Sequence, residues 1–285
     1  MATIDLHTHT TASDGVLPPR ELIRLAAQRG IRVLGITDHD TVAGIPEARA
    51  AAATHGVVLV PGIELSTAVE RGEVHILGYF VDPDDPVLRA HLDRLVAARR
   101  ERAARMVDQL RALGFPVSLA ELEGIAQGGT ITRAHAARLL VAKGFASSID
   151  EAFDRYLGRN RPGYVPRTFP TPREAVQLVV DAGGVAVLAH PLSVDDLERT
   201  LAELIPVGLA GLEAWYGEYT VEQQRDLAAL ADRLGLIATG GSDYHGPGFR
   251  GGREVGCVEL PSGVVEALAA RARRDRGDPA TLPGQ

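Results

Sequence analysis

Short apolar runs rich in β-branched residues recur along this chain, and most of the gaps between them read as amphipathic helices. That alternation demands crossover helices packed on a mostly parallel sheet, in a barrel or an open doubly wound layer. The first strand is predicted at Thr3–His7. Pro18-Pro19 then opens a helix to Gln28 that closes at Gly30, with proline near the start and glycine past the end. A strand at Val33–Thr37, a helix at Pro46–Thr54 and a strand at Val57–Val60, continuing toward Leu65, follow. The next strand, Val74–Val81, comes after only Glu70-Arg71-Gly72, too short a gap for a parallel crossover. An antiparallel hairpin is therefore expected there.

From about Pro86 to Gly158 the period is helical throughout, with helices predicted at Val87–Leu113, Leu119–Ala126, Arg133–Lys143 and Ile149–Leu157. After Pro162–Pro172 the alternation resumes. Helices at Arg173–Ala182, Val194–Leu204 and Val221–Leu234 interleave with strands at Val185–Ala189, Leu209–Ala214 and Leu236–Thr239. A last extended piece is predicted at Val255–Leu260, and the polar tail from Arg271 reads as frayed. The expected fold is α/β: a distorted (βα)7-like barrel with an all-helical insertion domain, an open doubly wound sheet being the alternative. Residues 1–85 and 165–285 would form the barrel and residues 86–164 the insertion.

Charge and cysteine content narrow the functional classes. The net charge is −7, so no global basic field holds long duplex nucleic acid, and an anionic ligand must be held locally. The single cysteine, Cys257, allows no internal disulfide, and its expected place is a buried strand. The start of the chain lacks a basic, then apolar, leader, and no apolar run reaches the ~20 residues of a membrane span. The expectation is a cytoplasmic protein with no membrane partner.

The histidines fall where a barrel keeps its chemistry. His7 and His9 leave the first strand as His-x-His, which puts both side chains on one face of an extended segment, and Asp14 follows in the loop. Asp38-His39 ends the second strand and Glu64 the third. His75 opens the fourth, at the same edge if that strand is antiparallel. His190 ends the fifth, and Asp243 and His245 follow the last. Six of the nine histidines thus converge with carboxylates on the carboxyl edge of the strands. Imidazoles with hard carboxylates and no thiolate suit Mn²⁺, with Fe²⁺ or Zn²⁺ as alternatives, and so many ligands imply two or three ions. His55 and His91 lie in polar helical contexts and read as surface. Asp38 reads as a residue that orients a neighbouring ligand.

Taken together, Asp-Leu-His-Thr-His-Thr-Thr-Ala-Ser-Asp-Gly (5–15), Ile-Thr-Asp-His-Asp-Thr (36–41), Gly-Ile-Glu-Leu-Ser (62–66), His-Ile-Leu-Gly-Tyr (75–79), Ala-His-Pro (189–191) and Gly-Ser-Asp-Tyr-His-Gly (241–246) resemble the PHP, or polymerase and histidinol phosphatase, superfamily. The resemblance implies three divalent ions. His7, His9, Glu64 and Asp243 would hold the first. Glu64, as a bridge, would hold the second with His75 and His190. Asp14, His39 and His245 would hold the third. Catalysis is expected of Glu64, His190 and Asp243, with a metal-activated water attacking phosphorus and no covalent intermediate. Position 263, six residues after Cys257, is glycine rather than the arginine of a cysteine phosphatase, and no phosphate-binding P-loop motif occurs.

The helical insertion is similar to that of the branch acting on nucleoside 3′,5′-bisphosphates and short RNA 5′ ends. The expected substrate is accordingly a small phosphorylated nucleotide losing its 3′-phosphate, or a 5′-phosphorylated short RNA. The insertion is expected to leave and rejoin the barrel at the metal-bearing rim. Arg133 and His135, in the first turn of an insertion helix, are the expected contacts to a second phosphate. Arg159, Arg161, Arg167, Arg250 and Arg253 are further arginines from Gly/Pro-rich loops, read mostly as solvated. Histidinol phosphate is the alternative substrate. A zinc amidohydrolase would want a lysine at a strand end, and the one lysine, Lys143, lies in the insertion. A non-catalytic module would need a fused polymerase, for which 285 residues leave no room.

Overall fold

A computed structural model describes residues 2–167, 170–247, 249 and 253–276. The first half of the barrel runs β1 (Ile4–Asp5), α1 (Pro19–Gln28), β2 (Val33–Ile36), α2 (Ile45–His55), β3 (Val58–Ser66) and β4 (His75–Tyr79). The helical segment follows as α3 (Pro86–Ala112), α4 (Leu119–Ala126), α5 (Arg133–Ala142) and α6 (Ile149–Ala152), which continues as a π-helical turn, Phe153–Leu157. The second half is α7 (Pro172–Asp181), β5 (Val185–Leu188), α8 (Leu197–Leu204), β6 (Gly211–Tyr216), α9 (Val221–Arg233), β7 (Ile237–Gly241) and α10 (Val264–Arg276). The seven strands lie side by side in chain order. β4 is antiparallel to both β3 and β5, the eight residues between β3 and β4 being too few for a parallel crossover, and the other pairs are parallel.

The sheet closes on itself between its two end strands. Beyond the short β1, Leu6 N–H donates to Gly240 O, Asp243 N–H to His7 O and His9 N–H to Tyr244 O. Gly241 permits this approach, because a Cβ there would stand 2.4 Å from His7 N. Along β5 the side chains alternate between two cores: Val185 and Val187 point inward with Leu6, Val60, Leu77 and Tyr79, while Ala186 and Leu188 face the helices. A third apolar cluster, from Met106 to Val165, belongs to the helical segment, whereas Leu88, Leu92 and Leu95 of α3 sink into the barrel's helical layer.

Four expectations are corrected. Val255–Leu260 is not a strand: Gly256 at φ 73° turns the chain, and Cys257 N–H donates back to Glu254 O. Cys257 is consequently exposed rather than buried in a sheet. The chain from Arg271 to Arg276 is helical, because apolar positions 264, 265, 268 and 272 of α10 dock on the barrel interior beside Leu260. The rest of the predicted frayed tail, residues 277–285, lies outside the described residues. Finally, β4 runs away from the rim, so the helical segment leaves at the opposite end of the barrel. Only its return is at the rim, where Ala68 N–H meets Pro170 O. Among the described residues no helix is long and apolar enough to cross a membrane.

Candidate active site

The nine residues expected to bind metal meet at the rim. Glu64 is the centre: its Oε1 lies 2.8 Å from His75 Nδ1 and 3.0 Å from His190 Nε2, and its Oε2 lies 3.1–3.4 Å from nitrogens of His7, His9 and His39. Asp243 Oδ1 is 3.1 Å from His9 Nε2 and 3.3 Å from His7 Nε2. Asp14 Oδ1 is 3.2 Å from His245 Nε2. Ligand atoms gather within 4.8 Å of one another in three sets: His7, His9, Glu64 and Asp243; His9, Asp14, His39 and His245; and His39, Glu64 and His75. The first set coincides with the expected one. The second adds His9 to Asp14, His39 and His245. In the third His39 stands where His190 was expected, although His190 reaches the same Glu64 oxygen.

Local backbone geometry aims these side chains. Asp243 (φ 51°) and His190 (φ 28°) both sit just past a strand in the left-handed region that non-glycine residues avoid, a strain characteristic of functional sites. The Asp38 carboxylate joins none of the three sets, though its backbone carbonyl accepts from Glu64 N–H. It accepts from Thr10 N–H, Thr10 Oγ1 and Ser13 Oγ, and so fixes the loop that carries Asp14.

The electrostatics follow from packing so many ionisable groups away from water. Burial would raise the Glu64 carboxyl, but its contacts with His39, His75 and His7 hold it well below the usual carboxylate range. Burial likewise opposes ionised Asp243 and Asp14, and Arg253 with His7, and His245 with His39, hold them low. Among the imidazoles burial wins at His39 and His75, which are pushed down, but at His9 it is outweighed by Asp243 and Glu64, which raise it to about 10. His9 Nδ1 and His39 Nδ1 are buried without a hydrogen-bond partner. Unsatisfied imidazole nitrogens, beside carboxylates that draw protons onto other rings, form a donor set that fits divalent cations, which displace such protons on binding.

Several residues that orient these ligands escaped the sequence reading. Glu213, fully buried in β6, lies 2.8 Å from His7 Nδ1 and accepts from His190 N–H at 2.7 Å, turning His7 Nε2 toward the cluster. A carboxylate in the middle of an apolar strand was the available signal. Tyr216 OH donates to Asp243 Oδ2 at 2.8 Å, and Arg253 Nη1 donates to the same oxygen and to Tyr216.

The cluster floors a cavity of about 320 Å³ whose wall also carries Arg99, Arg133 and Arg167. Arg99 bonds Asp40 Oδ2 at 2.5 Å and Ser66 Oγ at 2.8 Å, Arg133 is paired with Glu73, and Arg167 Nη1 is 3.2 Å from His75 Nε2. Arg99 was not foreseen, and Arg167 and Arg253 face the cavity rather than solvent. His135 does not line it. Its Nδ1 accepts from Thr132 N–H to cap α5, and the ring is 1% exposed. Arg159 ties the segment to Val69 and Glu70 carbonyls, Arg161 is exposed, and Arg250 lies outside the described residues. His55 is exposed and His91 half-buried on α3, both away from the cavity.

Residues 5–157 match the model of the PHP domain. The chain is 39% identical to a 3′,5′-nucleoside bisphosphate phosphatase of Chromobacterium violaceum over 91% of its own length and 92% of that protein. It is 39% identical to the 5′-3′ exoribonuclease Rnm of Escherichia coli over 85% of each. A crystal structure from Bifidobacterium adolescentis, assigned as a metal-dependent phosphoesterase, superposes with a TM-score of 0.88 at 32% identity, covering 100% of this chain and 99% of that one. The matched region begins at the strand bearing His7 and His9 and takes in Asp14, His39, Glu64, His75 and the arginines of α3 and α5, so the geometry and the likeness agree: this chain belongs to the PHP domain family.

Proposed function

We propose that the protein is a metal-dependent phosphoesterase that removes the 3′-phosphate of nucleoside 3′,5′-bisphosphates and acts on short 5′-phosphorylated RNA. The observation that carries this reading is that a dense imidazole–carboxylate floor and an arginine wall line one cavity large enough for a nucleotide. The relatives named as a bisphosphate phosphatase and an exoribonuclease support it.

Three ions are proposed, Mn²⁺ foremost. His7, His9, Glu64 and Asp243 would hold one, Glu64, His75 and His190 the second, and Asp14, His39 and His245 the third. Divalent cations in such a floor supply Lewis acidity, which neutralises phosphate charge and makes water a competent nucleophile near neutral pH. The chain's own residues do the positioning. Glu213 fixes the His7 ring, Arg253 and Tyr216 hold one oxygen of Asp243 so that the other faces His7 and His9, and Ser193 Oγ lies 2.9 Å from His190 Nδ1. Arg133, with Arg99 and Arg167, would bind the phosphate that is not cleaved. Glu73, already paired with Arg133, penalises a misplaced anion and sharpens that selection.

The test is turnover of a nucleoside 3′,5′-bisphosphate, AMP, histidinol phosphate and a 5′-phosphorylated dinucleotide with added Mn²⁺. The bisphosphate should be preferred, Asp243→Asn should abolish turnover of all four, and Arg133→Ala should erase the preference while sparing a small phosphate ester. Histidinol phosphate as the best substrate would reject the assignment.

A further inference from the structure

The arginine wall also has a rear face. Behind it, between the middle of α3 and residues 166–167, lies a second, smaller cleft of about 20 Å³, lined by Arg99, Arg102, Arg105, Arg167 and the single carboxylate of Asp40. Asp40 is already committed, to Arg99 and to the backbone N–H of Ser66. The remaining three guanidinium groups have no carboxylate in ion-pair contact among the described residues. Arg102 is 7% exposed and its Nε donates only to the carbonyl of Val165. Arg167 Nε is buried without a partner. Burial and the charges of Arg167, Arg133 and Arg99 push Arg102 down. A guanidinium still keeps its proton at neutral pH, so Arg102 carries a buried charge with no carboxylate beside it. Three guanidinium groups converging without a counter-charge are costly unless an anion meets them.

We propose that this cleft is a second anion site, which takes a phosphate-sized oxyanion through one or two of its oxygens. Arg102 and Arg105 are its principal ligands, and Arg167 Nε donates from the shared wall. The size of the cleft suits a single oxygen-sized group, and the exposed Arg105 and Pro166 leave the rest of the anion in solvent. Forked guanidinium donors match an oxyanion better than a monatomic ion. Arg99 and Arg167 line both cavities, so an anion behind them compensates charge that the front cavity uses. Inorganic phosphate, the product under the reading above, then weakens nucleotide binding without entering the metal site. That coupling rests on the proposed function, whereas occupancy of the cleft does not.

Calorimetric titration of the full, Mn²⁺-loaded chain with inorganic phosphate tests the site independently of turnover. Arg105→Gln and Arg102→Gln should each weaken one class of phosphate site about tenfold or more, the loss of one charge-assisted bond, and leave the tighter class unchanged. Arg105 is exposed, so its variant decides the matter even where Arg102→Gln costs stability. Phosphate binding identical to wild type in Arg105→Gln would overturn the proposal. In turnover assays, Arg105→Gln should keep the fully competitive part of phosphate inhibition and lose a second part, a rise in KM that saturates with phosphate. Unaltered inhibition would break the coupling alone.

Discussion

The floor and the arginine wall of the cavity are built by different means. Apart from Asp14, whose loop the Asp38 side chain pins, the floor's residues stand at or within a few residues of strand ends, so backbone hydrogen bonds set their positions before any side chain is considered. Arg99, Arg133 and Arg167 come instead from the middle of a long helix, a first helical turn and a coil, and each is aimed by a barrel side chain: Asp40, Glu73 and His75 in turn. Under the proposed function, chemistry rests on the strand-held part, and recognition rests on a surface whose helices can vary without disturbing it.

Four measurements would break or sharpen that contrast. The largest effect should come from removing metal. Chelation should take turnover to background and lower the melting temperature on the order of 10 °C, since ions bound a thousandfold above their dissociation constant add ~4 kcal/mol. An unchanged melting curve would mean the floor is rigid without ions. Next, Asp40→Asn leaves Arg99 buried without a counter-charge, and should cost ~3 kcal/mol in denaturant unfolding. A negligible cost would show the wall is not anchored as described. Glu213→Gln keeps the shape of β6 but loses the charge that orients His7, so metal affinity or turnover should fall ~10–100-fold with the fold intact. A binding isotherm identical to wild type would assign Glu213 to structure alone. The smallest effect belongs to Cys257→Ser: exposed and outside the cavity, it should change stability by no more than ~0.5 kcal/mol and leave turnover as it was.

The floor was legible in the sequence because strand ends impose a pattern: His-x-His after β1, Asp-His after β2 and Ala-His-Pro after β5 fall at the same edge by topology alone. The wall was not, because helix periodicity fixes which residues share a face but not which distant carboxylate will meet them. Arg99 is 59 positions from Asp40. His135 shows the converse. Its place in a first turn looked like an anion contact, yet the capping hydrogen bond to Thr132 N–H claims its nitrogen. At the far end, the buried positions of α10 follow a helical period, but its arginines masked it, and one glycine turned the apolar run before it out of the sheet.

The reversal of β4 has a mechanical consequence. A 27-residue helix is ~40 Å long, enough to carry the chain from the barrel's far end back to its mouth. The helical segment is therefore bolted like a bracket at two heights rather than hung like a flap from two neighbouring cords. A flap opens by bending a few residues where its cords meet, whereas this bracket could swing only by shearing Leu88, Leu92 and Leu95 out of the layer they share with α7. A swing of the whole segment would change the width of the mouth only at the cost of that packing.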